Sequence, residues 1–156
     1  MKADNTSSST ANIAILPRLE GLGGPTSFQH KLIAGLAQEG VTAQFGLSGP
    51  DVQALLVNGG SKNLATIWQA RRKGIRIVQR LNGMNWIHKR RKTGLRHYVR
   101  SEYGNWNLSF IRKHFADHIV YQSHFSKNWW ERVYGPAQVS DSIIYNGVNL
   151  DFYTPD

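Results

Sequence analysis

With 156 residues, 40% of them hydrophobic and 19% charged, the chain has the length and composition of one folded globular domain with a core of its own. It contains no cysteine, which excludes a disulfide framework, a thiolate metal site and a thiol nucleophile. Net charge is +9, and twelve of the nineteen Lys and Arg residues fall between Ser61 and Arg100, where there is no Asp or Glu; such a stretch attracts nucleic acid, an anionic lipid leaflet, or phosphorylated and acidic sugars.

Residues 1–11 are polar and read as a flexible tail without the apolar segment of a signal peptide, and no run approaches the length of a membrane span. Residues 12–17 form a short apolar strand ended by Pro17, followed by a turn carrying Gly21, Gly23 and Gly24. Pro25 suits the first position of a helix on which Phe28, Leu32, Ile33 and Leu36 recur at helical spacing until Gly40. Strands are expected at 41–45 and 54–57, the second meeting Asn58-Gly59-Gly60. A helix with Leu64, Ile67 and Trp68 closes at Gly74, and a strand at 75–81 ends on Asn82-Gly83. Residues 95–115 read as mainly helical, with Leu108, Ile111 and Phe115 on one face, although Gly94 and Gly104 interrupt the first half. A strand at 119–122 precedes Ser123, a suitable N-cap for a helix bearing Phe125, Trp129, Trp130 and Val133, which Gly135-Pro136 stops. The last strand is expected at 142–145.

Alternating strands and helices imply βαβ units, hence a Rossmann-like α/β domain whose parallel sheet is flanked by helices. Ligands of such sheets bind beyond the carboxyl ends of the strands. That rim comprises residues 18–24, 58–61, 82–88, 123–127 and 146–149.

Three features have chemical potential. The loop through Gly23 and Gly24 opens a helix and can present backbone N–H groups to an anion, or be an ordinary tight turn; it lacks the spacing of a nicotinamide-binding loop. Asn82, Gly83 and Asn85, with Trp86 and His88 behind them, offer amides for sugar hydroxyls and an aromatic face for a sugar ring, or form a turn followed by a basic surface segment. Lys89, Arg90, Arg91, Lys92, Arg96 and Arg100 form a basic patch, either a solvated face or a site for anionic acceptors, membrane headgroups or, more weakly, nucleic acid. No carboxylate cluster accompanies the six His residues, and Glu20 is the rim's lone acid, so neither a metal site nor a paired-carboxylate glycosidase is indicated.

The segments Ile119-Val-Tyr-Gln-Ser-His-Phe-Ser-Lys127, Tyr134-Gly-Pro136 and Ile143-Ile-Tyr-Asn-Gly-Val-Asn-Leu-Asp-Phe-Tyr-Thr-Pro155 resemble the end of the N-terminal domain in family 4 glycosyltransferases of the GT-B fold. Asn149 stands where that family usually has Asp, and Tyr145 where it often has Pro. The strand, paired glycines and helix at the front are similar as well. The resemblance implies one half of a GT-B fold: an acceptor-side domain over 12–149, a linker beginning at 150–156, and a donor-binding C-terminal domain that is absent here. It implies a retaining hexosyltransferase that uses a UDP- or GDP-sugar as substrate and no cofactor or metal, and that acts on a saccharide or lipid-linked acceptor in polysaccharide or glycolipid synthesis, this part alone being inactive. By position, Gly23 and Gly24 approach the donor. Asn82 occupies the place of a catalytic His and, being an amide, can only orient substrate. Gly83, Asn85, His88, Ser123, His124 and Lys127 face the acceptor. The expected location is the cytoplasm, with the inner face of a membrane as an alternative.

Overall fold

A computed structural model describes residues 11–49 and 51–147. In chain order the elements are β1 (Asn12–Leu16), α1 (Gly24–Gln38), β2 (Thr42–Phe45), β3 (Val52–Asn58), α2 (Leu64–Arg72), β4 (Arg76–Leu81), α3 (Ile87–Arg90), α4 (Leu95–His114), β5 (His118–Tyr121), α5 (His124–Tyr134) and β6 (Ser140–Ile143). Every strand pair is parallel, and the sheet runs β2-β1-β3-β4-β5-β6. This is a Rossmann-like α/β domain. The chain leaves β1 one way to make β2 and works outward the other way from β3. The switch point therefore lies between β1 and β3, where open parallel sheets form their ligand crevice.

Register sorts the side chains onto two faces, because successive residues of a strand point to opposite sides. Ala14, Leu16, Leu55, Val57, Ile77, Leu81, Ile119 and Tyr121 share one face. Ile67 and Ala70 of α2, Ile111 of α4 and Trp130 of α5 pack over that face and complete the core. Burying each of these larger aliphatic side chains contributes about 1.5–3 kcal/mol. The opposite face carries Ile15, Leu56, Asn58, Val78 and Arg80 in the same register, and Phe28 of α1 meets it at Arg80. Its carboxyl end is thus polar, although β3 and β4 are interior strands.

Several expectations are corrected. The last strand is Ser140–Ile143, two residues earlier than the apolar run suggests, and Ile144 and Tyr145 are exposed. An edge strand needs backbone pairing more than apolar side chains. Ser140 and Ser142 meet the His118 ring nitrogens at 2.8 and 3.0 Å, and Asp141 pairs with Lys127. On α5 the buried residues are Ser126 and Trp130, whereas Phe125 and Val133 lie outside. Trp68 is also exposed, beneath the Arg72 guanidinium. Residues 87–90, read as part of a turn and a basic surface, form the single turn α3. Helix α4 continues through Gly104, where a Cβ would stand 3.3 Å from the Asn85 amide nitrogen. Its first half buries Ser101 and exposes Leu95, Tyr98, Val99 and Tyr103, which is why apolar periodicity marked that half poorly.

Candidate functional site

The rim loops are held by amide side chains reaching from neighbouring elements. Gln29 of α1, almost fully buried, accepts from the Leu19 N–H (2.9 Å) and donates to the Pro17 carbonyl (2.8 Å), fixing the loop after β1. Asn107 of α4 does the same to Ser61, accepting from its N–H and donating to its carbonyl, both at 3.0 Å. Gln79 of β4 donates to the Gly59 carbonyl at 2.9 Å, and Gly60 packs so closely that a Cβ would fall 2.5 Å from Asn107 Oδ1. Asn105 clamps the Asn85 backbone in both directions, at 2.9 and 2.8 Å. The Asn82 carbonyl accepts from Trp130 Nε1 (2.8 Å) and Ser126 Oγ (3.1 Å), so α5 anchors the end of β4. A two-point amide clamp satisfies a loop peptide that would otherwise be buried unpaired, and each such bond contributes about 1 kcal/mol.

At the centre of the rim stands Arg80, 4% exposed. Its Nη1 donates to Asn58 Oδ1 (3.3 Å) and to Asn82 Oδ1, and its Nη2 donates to Asn146 Oδ1 (2.6 Å). The Phe28 ring lies 3.6 Å from the guanidinium carbon. Among the described residues no carboxylate lies within ion-pair distance of Arg80. Burial pulls its pKa below the ordinary arginine value, and the group remains a cation. A guanidinium thus joins the loop ends after β3, β4 and β6.

Two clefts open on this edge. One, of about 450 Å³, is lined by Gly24, Ser27, Phe28, Lys31, Leu32, Asn146 and Gly147. The other, about 770 Å³, lies at the switch point between Pro17, the 60–63 loop and Arg100, Tyr103, Gly104, Asn107 and Leu108 of α4.

Of the residues singled out in the sequence, Gly23 and Gly24 begin α1, and no neighbour crowds either position. Asn82 is half-buried in the Arg80 cluster, while Gly83 and Asn85 are exposed beside it. The His88 side chain is fully buried, Nε2 meets Glu102 at 2.6 Å, and its ring packs edge-on to Tyr98. Hydrogen bonds from His88 and then from Lys89 hold the Glu102 carboxyl below its usual range. Ser123 caps α5 by accepting from the Ser126 N–H at 3.1 Å. His124 is exposed, its ring near Tyr145. Lys127 is engaged by Asp141 and Glu131, and the Asp141 hydrogen bond, its largest influence, raises its pKa. Lys89, Arg90, Arg91, Lys92, Arg96 and Arg100 are all exposed on α3, α4 and the turn between them. The closing-string residues Val148 and Asn149 lie outside the described residues.

Sequence reasoning had not singled out Arg80, Gln29, Gln79, Asn105 or Asn107. A signal existed for two of them. Gln79 and Arg80 interrupt the otherwise apolar strand Ile77-Val-Gln-Arg-Leu81, and polar side chains in a central strand are buried only with partners. Among the described residues no group of three or more His, Asp or Glu is placed to hold a metal ion, and no helix is long and apolar enough to cross a membrane. Compared with known proteins, the chain matches no family model, no curated protein and no solved structure.

Proposed function

We propose that this chain is the acceptor-side half of a retaining glycosyltransferase that moves a hexose from a UDP- or GDP-sugar to a saccharide or lipid-linked acceptor, with a second Rossmann-like domain supplying the donor-holding groups. One observation carries the reading. Three places to which the resemblance to family 4 glycosyltransferases assigns a role, Gly23-Gly24, Asn82 and the closing string at Asn146-Gly147, are far apart in the chain and lie along one carboxyl edge. Asn82 and Asn146 share Arg80 there, and Gly24 and Asn146 line the same cleft. In this reading Asn82 orients the acceptor. Its Oδ1 is already taken by Arg80, leaving Nδ2 to donate to a sugar oxygen, and an amide takes no proton from the attacking hydroxyl. Ser123 caps a helix and Lys127 serves α5 and β6, so their part is to fix the edge.

Titration of the ¹⁵N-labelled domain with UDP-sugars, GDP-sugars and oligosaccharides tests the reading, together with transfer assays on the polypeptide carrying the second domain. Shifts at the amides of Gly23, Gly24 and Asn82, and transfer of sugar from one donor, are expected. If no sugar moves those amides and the two-domain protein neither transfers nor hydrolyses any donor in the panel, the reading fails.

The basic face supports a second reading that is compatible with the first: attachment to an anionic membrane. On α4, Leu95, Val99, Tyr103 and Trp106 follow at intervals of four, four and three and are exposed, Leu95 by 80%. Arg96 and Arg100 flank this stripe, and Lys89–Lys92 precede it. Apolar side chains at helical spacing bordered by cations suit a headgroup layer. Co-sedimentation with phosphatidylglycerol but not phosphatidylcholine vesicles is the expected result. Tight, salt-sensitive binding to duplex or single-stranded nucleic acid without vesicle binding would reassign the patch.

A further inference from the structure

We infer that the rim cluster of Arg80, Asn58, Asn82 and Asn146 is an oxyanion subsite that takes a phosphate or carboxylate group entering from the cleft beside α1. The charge of the ligand is at stake here, independently of whether sugar is transferred.

Among the described residues Arg80 has no counter-charge. A cation buried as deeply ordinarily has a carboxylate beside it, because leaving water costs far more than neutral dipoles return. Here its partners are three amide oxygens and the face of Phe28. These soften the desolvation without cancelling the charge. An arriving anion would supply the missing counter-charge.

The polarity of the remaining groups points the same way. A guanidinium only donates, so the side-chain oxygen of each asparagine must face it. The same contact commits the Nδ2 of each of the three amides to other partners. Each Nδ2 is thus left to donate elsewhere, while each oxygen already accepts from the guanidinium. Asn58, 7% exposed, has its Nδ2 buried with no hydrogen-bond partner among the described residues. Native proteins rarely leave a buried donor unpaired, and a ligand oxygen would satisfy it. Arg80 also keeps donors in reserve: three of its five N–H groups are engaged among the described residues.

The surroundings agree. Phe28 and Asn146 belong to both the cluster and the 450 Å³ cleft, so the two are continuous. Lys31 lines that cleft, and no Asp or Glu does. The first turn of α1 carries no acidic residue and no side-chain cap, so nothing in that turn neutralises its positive end. The N-terminal end of α1, a lysine and a buried guanidinium thus share one opening, with three asparagine amides beside the guanidinium.

The test is a titration of the chain with inorganic phosphate, glucuronate and, as a neutral control, glucose, reading the side-chain amide resonances of Asn58, Asn82 and Asn146 and the Arg80 Nε–H. Saturable shifts with phosphate or glucuronate and none with glucose are expected. The tighter of the two anions names the group as phosphoryl or carboxylate. Asn82→Ala with Asn146→Ala, changes at the half-exposed rim, should weaken binding at least tenfold while the circular dichroism melt stays cooperative. Arg80→Lys, which keeps the charge and loses the fork, should weaken it similarly. Should neither anion move the cluster, or should both move only Lys89–Lys92, or should the double alanine variant bind as wild type does, the site does not exist. Failure here leaves sugar transfer to a neutral acceptor untouched, and failure of sugar transfer leaves the anion titration to stand by itself.

Discussion

Gly60→Ala and Asn107→Ala should be strongly coupled, because one substitution destroys what the other already lacks. Removing the Asn107 amide strips both hydrogen bonds from Ser61, a residue only 4% exposed. Each buried peptide group left unpaired costs about 1–3 kcal/mol, so the variant should lose roughly 2–5 kcal/mol. At Gly60 a methyl would lie 2.5 Å from Asn107 Oδ1. That oxygen cannot retreat without breaking the same pair of bonds, so Gly60→Ala should lose a similar amount, offset by about 0.4–1 kcal/mol from a stiffer unfolded chain. Once Asn107 has been truncated to alanine, the methyl's remaining close neighbour is the flexible end of Leu108 at 3.4 Å, which can shift slightly. The double variant should then be nearly as stable as Asn107→Ala alone, giving a coupling energy of about 2 kcal/mol or more. Urea unfolding followed by tryptophan fluorescence measures all four corners of the cycle. At a typical slope, the Asn107→Ala midpoint should fall by roughly 1–3 M. If the two losses simply add, within about 0.5 kcal/mol, the close approach of Gly60 to α4 is not what holds this loop.

Trp130→Phe removes the Nε1–H bond to the Asn82 carbonyl along with part of a fully buried ring; about 1–3 kcal/mol should be lost in urea unfolding, with broadened Asn82 resonances. Glu102 has its carboxyl pKa lowered by His88 and then Lys89, so its contribution is complete above the ordinary carboxylate range and disappears as pH falls through the lowered value. Thermal melts of wild type and Glu102→Gln should therefore differ at neutral pH and converge in acid; a gap that widens on acidification would contradict this assignment. Charge reversal at Arg90 and Arg91 together with Leu95→Ser should abolish binding to anionic vesicles while leaving the phosphate titration of the Arg80 cluster unchanged, since the two surfaces share no residue. Vesicle binding that survives this triple change would remove the membrane reading.

The elements were legible wherever local chemistry alone decides them. The apolar run before Pro17, the helix opening at Pro25, and the Ser123 cap that accepts from Ser126 all occupy their expected places, and the alternation of strand and helix led to a parallel sheet. Propensity, capping and turn chemistry act over a few residues, so they survive in the one-dimensional record. What the sequence could not order was the polar interior of the rim. Arg80 counted there as one basic residue among twelve, and Asn107 as a polar position on an uncertain helix. Only the strand register, which puts Arg80 opposite Asn58, and the return of the chain at Asn146 turn these residues into a cluster. His88 shows the converse. Placed by sequence among candidate acceptor residues, it is removed from solvent by Glu102 and Tyr98. Whether a polar side chain meets a ligand or another side chain depends on contacts such as His88–Glu102 and Arg80–Asn146, 14 and 66 residues apart, and such contacts come into being only when the chain folds.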